Sequence, residues 1–493
     1  MKISKSKYCK FVQCEKLFWL NSYEPIKLDD SSKARMEMGK KVGELAKGLF
    51  GDYEDVPYNK NHDIMVEKTE VLLQEKPNVI TEASFTYMNN VCRVDILKND
   101  ADGVEIYEVK GKTKFEDIDL NDPSFQYFVL SNLGYNVKKV CVVYLNRDYI
   151  RGKELDIEQL FNIEDVTDVA KERQDEIRAN LDFMNRFIEE HGSDNEPDKD
   201  IGIYCLDLEC GFWQHCSRHL PKPNVFDLKG RMRKTTKIKK YNENKISFED
   251  LEHEKLNEKC MEQIDFELHD REPKIEKEKI REILGSLKYP LYFIDYESFQ
   301  CAIPEYEGTF ANQQIPFQYS LHIIRQEGGA IEHKGFLAEV DDENIIRNFA
   351  ESMIGNLSED GSVIVYNKTF EKSHINDKIA NMYPDLRPEI ERINGNMVDF
   401  EVPFKNRNYY VKDMKGFSSI KKVLPALYPD DPKLNHSNLE LVHNGGEASN
   451  AFLSLRNQTP EEQEKTREAL LEYCKLDTYA MVKIWEKFKE VAE

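Results

Sequence analysis

The chain has 493 residues, 40% of them hydrophobic and 11% aromatic, enough for roughly two to four domains that each bury a core. No apolar run approaches the roughly 18 residues of a membrane helix, and lysines run through the N-terminal segment where a secretory signal would be apolar; the expectation is a soluble, cytoplasmic protein with no membrane partner. A formal charge of −22 excludes a generic polyanion coat but not an enzyme acting on nucleic acid, which needs carboxylates for metal ions and can confine its basic groups to one groove.

From residue 78 the pattern predicts a hairpin, a helix and a strand. "VCRVDILK" alternates, "NDADG" ends in an Asp-Gly that favours a tight turn, and "VEIYEVKG" returns. "PSFQYFVLSNLG" has helical spacing closed by Gly134, and "VKKVCVVYLN" reads as a buried strand, giving an α/β unit. Glu108 and Lys110 are two apart on one strand and so share a face, and the hairpin can bring Asp95 beside them. Asp and Glu can hold a divalent cation through oxygen, and a neighbouring lysine can position the attacking water. A surface ion-pair ladder is the competing interpretation.

This stretch resembles the RecB-like branch of the PD-(D/E)XK nucleases. The resemblance implies Asp95 and Glu108 as metal ligands, Lys110 as the catalytic lysine and Gln126 as an accessory, with Glu82 as a further carboxylate. The branch's early histidine is absent, leaving Gly43 and Glu44 in that region, and Leu130 stands where a tyrosine is usual, with Tyr127 nearest.

Cys205, Cys210 and Cys216 fall within "IGIYCLDLECGFWQHC", and in a reducing compartment such a cluster reads as metal ligands before disulfides. A subset of the RecB-like branch clasps its nuclease with an iron-sulfur cluster held by one early and three late cysteines. Resemblance to it implies a [4Fe-4S] cluster on Cys14, Cys205, Cys210 and Cys216, shielded by Trp19, Phe212 and Trp213. Zinc, Cys9 as the fourth ligand, and four unrelated buried thiols remain alternatives. Cys92, Cys141, Cys260, Cys301 and Cys474 read as packing.

Between about 217 and 285 the text is charged and mainly helical, and "KGRMRKTTKIKK" is basic at seven of twelve positions, a solvated surface or a nucleic-acid contact. A second α/β unit opens at "YPLYFIDYESF", passes through "VIVYNKTFE", and ends in a helix whose start is specified by Thr459, Pro460, Glu461 and Glu462. Asp295 and Glu297 share a strand face, Glu371 follows a strand at a turn with Asn367 and Phe370, and Tyr473 and Asp477 share a helix face at i and i+4. Four such carboxylates can hold two metal ions about 4 Å apart, with a tyrosine orienting the water.

This constellation is similar to the DnaQ-like, or DEDD, 3'-5' exonucleases of the ribonuclease-H-like fold, in their tyrosine variant. The similarity implies Asp295, Glu297, Glu371 and Asp477 as ligands of Mg2+ or Mn2+, Tyr473 as water-orienting and Asn367 as a secondary contact. Asp399 competes with Glu371, or is structural. The expected organisation is a PD-(D/E)XK domain with its cysteine-ligated cluster at 1–218, a connector at 219–285 and a ribonuclease-H-like domain at 286–493. This combination resembles bacterial proteins that fuse the two nuclease types, as does the segment beginning "SSIKKVLPALY" at Ser418. The expected function is a two-centre, metal-dependent nuclease, acting on DNA in preference to RNA, in repair or defence. A non-catalytic scaffold that binds nucleic acid or a protein partner, and a small-molecule metalloenzyme on a borrowed fold, are the alternatives.

Overall fold

The computed structural model describes residues 1–27, 30–207 and 210–493, and the chain is a mixed α/β protein in two compact units. Residues 1–218 with 301–313 form the first, and 219–300 with 314–493 form the second. The charged stretch 219–285 therefore belongs to the second unit rather than standing apart. Among the described residues no helix is long and apolar enough to cross a membrane.

The first unit is built on a seven-stranded mixed sheet. Val79–Tyr87, Asn90–Asp100 and Gly103–Lys110 are successive antiparallel strands, and Val137–Leu145 pairs parallel to the last of them. The tight turn is Ala101-Asp102, with Gly103 already the first strand residue; its φ of 146° and the Asn136 carbonyl, 2.2 Å from where a Cβ would lie, demand glycine there. Helix Asn121–Asn132 covers one sheet face with Phe125, Phe128 and Val129 and ends at Gly134, whose φ is 89°. Both faces are covered, since Val140 and Val142 enter one core and Cys141, Val143 and Leu145 the other. That double burial is why this strand reads as one continuous apolar run.

In the second unit a five-stranded sheet has the order Ile331–Leu337, Gln314–Ile324, Leu291–Gln300, Ser362–Val365 and Met397–Asp399, with the first three antiparallel and the last two parallel. Helix Pro460–Ala492 starts with a capping box, the Glu462 amide bonding Thr459 Oγ1 at 3.4 Å and the Thr459 amide bonding Glu462 Oε2 at 2.8 Å. It buries Ile484, Trp485 and Phe488 against Phe293, Ile364 and Phe400. The register shifts between Pro316 and Gln318, opposite Ser298 and Glu297, a bulge of the kind that re-aims side chains.

Candidate metal centres

In the first unit the strands carrying Asp95 and Glu108 pair from Ile96 and Tyr107 down to the turn and part above them. Asp95 Oδ2 there accepts the Val109 amide at 2.8 Å. Glu108 is buried and gathers three donors: Lys5 Nζ at 2.8 Å from each carboxylate oxygen, Lys110 Nζ at 3.1 Å and Gln126 Nε2 at 2.6 Å. Burial, then the Glu108 charge, push Asp95 up to about 7. Burial also opposes ionisation of Glu108, but the charges of Lys5 and Lys110 and hydrogen bonds from Lys5 and Gln126 hold it well below the usual carboxylate range. The two acids are thus driven apart in proton affinity.

Lys110 also bonds Asp122, and Cys9 Sγ donates to the same carboxylate at 3.0 Å, so Cys9 is engaged at this centre. Glu82 is turned by a left-handed φ of 56° within its strand and pairs with Arg93 at 2.6 Å, with Lys47 at 3.8 Å. Ser4, Lys5, His62, Glu82, Arg93 and Asp95 line a cavity of about 260 Å³ beside the centre. Glu44 pairs with Lys47, and Tyr127 packs on the apolar core. Lys5 and Asp122 were not among the residues expected here; both are one-residue signals in highly charged text, and only the fold brings them to Glu108.

Cys14 separates helix Lys5–Gln13 from helix Glu15–Tyr23 in an extended conformation. Burial raises its thiol, the amides of Leu17 and Lys16 offset part of that, and Cys210 acts on it electrostatically. Burial pushes Cys205 up to about 11 against the Gly202 amide, with Cys14, Cys210 and Cys216 adding to the rise. The four thiols therefore lie in one electrostatic neighbourhood. Trp19 and Phe212 are buried nearby in sequence, Trp19 Nε1 donating to the Gly192 carbonyl at 3.0 Å.

In the second unit Asp295 and Glu297 lie on the central strand and Glu371 in a π-helical turn, Phe370–Asn376, an irregularity that often marks functional sites. Asp477 and Tyr473 come from the long helix, and Glu297, Glu371, Asp477 and Tyr473 are all buried. Burial, then Asp477, hold Asp295 well above the usual range, with Lys421 opposing. Glu297 is raised likewise by burial, Asp295 and Asp477, and Glu371 by burial and Asp295. Glu371 Oε2 is buried with no hydrogen-bond partner. Asp399 instead accepts the amides of Asn367 at 3.1 Å, Lys368 at 3.0 Å and Glu401 at 2.8 Å, holding the backbone that precedes Glu371. Asn367 itself is left-handed, with a φ of 81°.

Two residues at this centre differ from the sequence expectation. Cys474, read as packing, has its sulfur within 4.8 Å of the ligand oxygens of Asp295 and Glu297, and among the described residues these three form the one such close group. It sits there because position 474 follows Tyr473 on the buried side of the same helix. Lys421 Nζ donates to Tyr473 Oη at 2.9 Å and to the His443 carbonyl at 3.1 Å. Its signal was the "SSIKKVLPALY" segment, whose chemistry is legible only once the helix it forms is placed.

A family model described as "Domain of unknown function (DUF2779)" matches residues 292–419, a span containing Asp295, Glu297 and Glu371 but not Lys421, Tyr473 or Asp477. The chain is 27% identical over 165 residues to "Uncharacterized protein UU173" of Ureaplasma parvum serovar 3, covering 31% of this chain and 24% of that protein. It is 26% identical over 226 residues to "Uncharacterized protein MG366" of Mycoplasma genitalium, covering 42% of this chain and 33% of that protein. The chain thus spans about a quarter to a third of the length of the curated relatives it matches. No solved structure matches it.

Proposed function

We propose that the protein is a metal-dependent nuclease whose second unit is a DnaQ-like 3'-5' exonuclease on a ribonuclease-H-like fold and whose first is a RecB-like PD-(D/E)XK nuclease. The observation that carries this reading is the buried group Asp295, Glu297 and Glu371, raised by burial and mutual repulsion, with Asp477 beside it and Lys421 as the opposing cation. So many buried acids for one ammonium are unfavourable unless cations are bound. The orphaned Glu371 Oε2 and the hard oxygen donors suit Mg2+ or Mn2+. Such ions, when bound, supply the charge that activates water and stabilises the leaving oxygen. The chain's own contribution is positioning. Burial and three neighbouring acids keep Tyr473 a neutral phenol, which can orient a water while its oxygen accepts from Lys421.

In the first unit Asp95 and Glu108 are the ligands, Lys110 the catalytic lysine and Gln126 the residue that orients Glu108. A [4Fe-4S] cluster on Cys14, Cys205, Cys210 and Cys216 closes that unit. A tetrahedral zinc site with bonds of ~2.3 Å would bring its sulfurs to roughly 3.8 Å of one another, whereas a cubane holds them wider. The cluster is proposed on the layout of one early and three late cysteines, with zinc as the alternative. A second reading for this unit, a non-catalytic nucleic-acid scaffold, is favoured by one observation: Lys5 already neutralises both oxygens of Glu108.

The test is incubation of the full chain with Mn2+ and end-labelled single-stranded DNA, duplex DNA and RNA. Trimming from 3' ends that Asp295→Ala abolishes supports the reading; wild-type protein that binds Mn2+ but cuts none of the three sinks it.

A further inference from the structure

The basic run at 229–240 is not one solvated face. Lys237 Nζ turns inward to the carbonyls of Phe226 at 3.0 Å and Leu228 at 2.7 Å. Lys229 instead points outward and lies over the ring of Phe417, 4.6 Å from its centroid. Lys422 reaches the same ring at 5.8 Å. Phe417 is 36% exposed, large for a phenylalanine, and neither lysine forms an ion pair among the described residues. Two lysines gathered on one half-exposed aromatic ring concentrate positive charge beside its π face.

The arrangement is built rather than draped. Gln263, buried, accepts the Lys229 amide at 3.0 Å and donates to the Asp227 and Lys415 carbonyls, each at 3.2 Å. One side chain thus ties the Lys229 backbone to the loop that carries Phe417. Gly416, with a φ of 84°, lies so close to Gln263 Oε1 that a Cβ would approach to 2.4 Å. Its amide donates to Tyr410 Oη at 3.1 Å and its carbonyl accepts from Arg407 at 3.2 Å. Four residues on from Phe417 is Lys421, whose ammonium bonds Tyr473 in the carboxylate centre. The Phe417 and Lys421 Cα atoms are therefore at most about 14 Å apart along the chain.

We propose that Phe417, flanked by Lys229 and Lys422, is a stacking platform that binds one base of a single-stranded DNA, with the two ammoniums taking its phosphates, beside the second-unit centre. This rests on the nuclease reading of that centre and names how its substrate is held. A partly exposed ring accepts any base by its π face once the Lys229 ammonium moves from over it to a phosphate, and the flanking cations supply the sequence-independent charge that an otherwise acidic protein lacks. The pinned loop means the ring is already in place before the strand arrives, so little ordering opposes binding.

Anisotropy of fluorescein-labelled oligothymidylate with the full chain, in EDTA, tests it without any cutting. Phe417→Ala should weaken binding about 5- to 100-fold while Phe417→Trp keeps it. Lys229→Ala and Lys422→Ala should each weaken it and reduce the slope of log K against log salt by ~0.7. Equal loss on oligouridylate supports the platform too, since the stack ignores the sugar; equal loss on duplex DNA overturns it, since a paired base cannot reach the ring. Phe417→Ala binding as tightly as wild type also overturns it. The two readings separate cleanly: protein that trims 3' ends regardless of Phe417 loses only the platform, and protein that never cuts yet needs Phe417 for oligothymidylate loses only the nuclease.

Discussion

Lys421 donates to the Tyr473 hydroxyl at 2.9 Å while its charge opposes the rise in proton affinity of Asp295 and Glu297. The tyrosine oxygen therefore accepts from Lys421, and the phenol stays neutral beside the acids, where it can orient a water. Tyr473→Phe should keep Mn2+ binding and lower 3'-end trimming by roughly 10- to 1000-fold, the span of a positioning or acid-base group. Lys421→Met removes both that hydrogen bond and the charge acting on Asp295 and Glu297, so it should lose at least as much, and the double variant should be little worse than Lys421→Met alone. Single-turnover trimming rates for the four proteins check this; additive losses would mean the two residues work independently.

Asp295 is buried among other acids, so a charge there opposes folding when no cation is present. Asp295→Asn should melt higher than wild type in EDTA, by ~2–4 °C if about 1 kcal/mol of repulsion is relieved. With the first centre removed by Glu108→Gln in both proteins, adding Mn2+ should then raise the midpoint of the one that keeps Asp295 and leave that of Asp295→Asn unmoved. Differential scanning calorimetry with and without Mn2+ reads both, and an Asp295→Asn protein still stabilised by Mn2+ would place the ion elsewhere.

Elements whose apolar pattern matches their burial are legible in the sequence, as are the acids they carry. The capping box at Thr459 and the doubly covered strand Val137–Leu145 are such cases, being specified by local chemistry and by a run of buried residues. What stayed hidden depends on long-range closure. Lys5 reaches Glu108 across 103 positions and Lys421 reaches Tyr473 across 52, and no period in the sequence links such pairs. Asp-Gly at 102–103 favours a tight turn, but the glycine serves the close approach of Asn136 instead, a contact from a different strand connection. The basic run at 229–240 failed as a single unit for the same reason, since burial of Lys237 and exposure of Lys229 are decided by what packs on them.

Burial, with Lys229 nearby, lowers the Lys237 ammonium to about 8. The unfolded chain keeps its lysine protons up to about pH 10.4, so between these values unfolding takes up a proton and this group adds stability as the pH rises. Below about 8 the buried ammonium is charged in both states, so its full penalty applies and stability no longer changes with pH through this group. Lys237→Met should remove that rise, so the stability of the variant relative to wild type should be highest near neutral pH and decline as the pH climbs toward about 10. Urea midpoints across that range measure it; a difference independent of pH would show that Lys237 is not buried as a displaced charge.

Anaerobically purified protein should be brown with broad absorption near ~400 nm and contain iron and sulfide. Cys14→Ser should lose the colour and destabilise the first unit, whereas Cys9→Ser should retain it, because the Cys9 thiol is bonded to Asp122 at the other centre. Metal analysis of both variants separates the ligands, and stoichiometric zinc without iron in wild type would replace the cluster with a tetrahedral site.

Lys5 binds both oxygens of Glu108 at 2.8 Å, the position from which a cation would be held by that carboxylate. Glu108 is buried, so taking away one of its ammonium partners leaves a charge only partly compensated by Lys110 and Gln126. In EDTA, Lys5→Met should therefore melt well below wild type, losing up to about 3–5 kcal/mol if the vacated site stays dry. Mn2+ should recover more of that loss than it adds to wild type, because the ion no longer competes with a tethered ammonium for the same oxygens. Lys110→Met should differ. It loses its bond to Asp122 as well, and under the nuclease reading it removes the lysine that acts on the reacting phosphate, so metal should restore stability without restoring cutting at this centre. Both comparisons belong in an Asp295→Ala background, where the second unit contributes neither Mn2+ binding nor trimming. If Mn2+ stabilises Lys5→Met no more than wild type, Glu108 is the structural half of an ion pair and the first unit binds nucleic acid without cutting it.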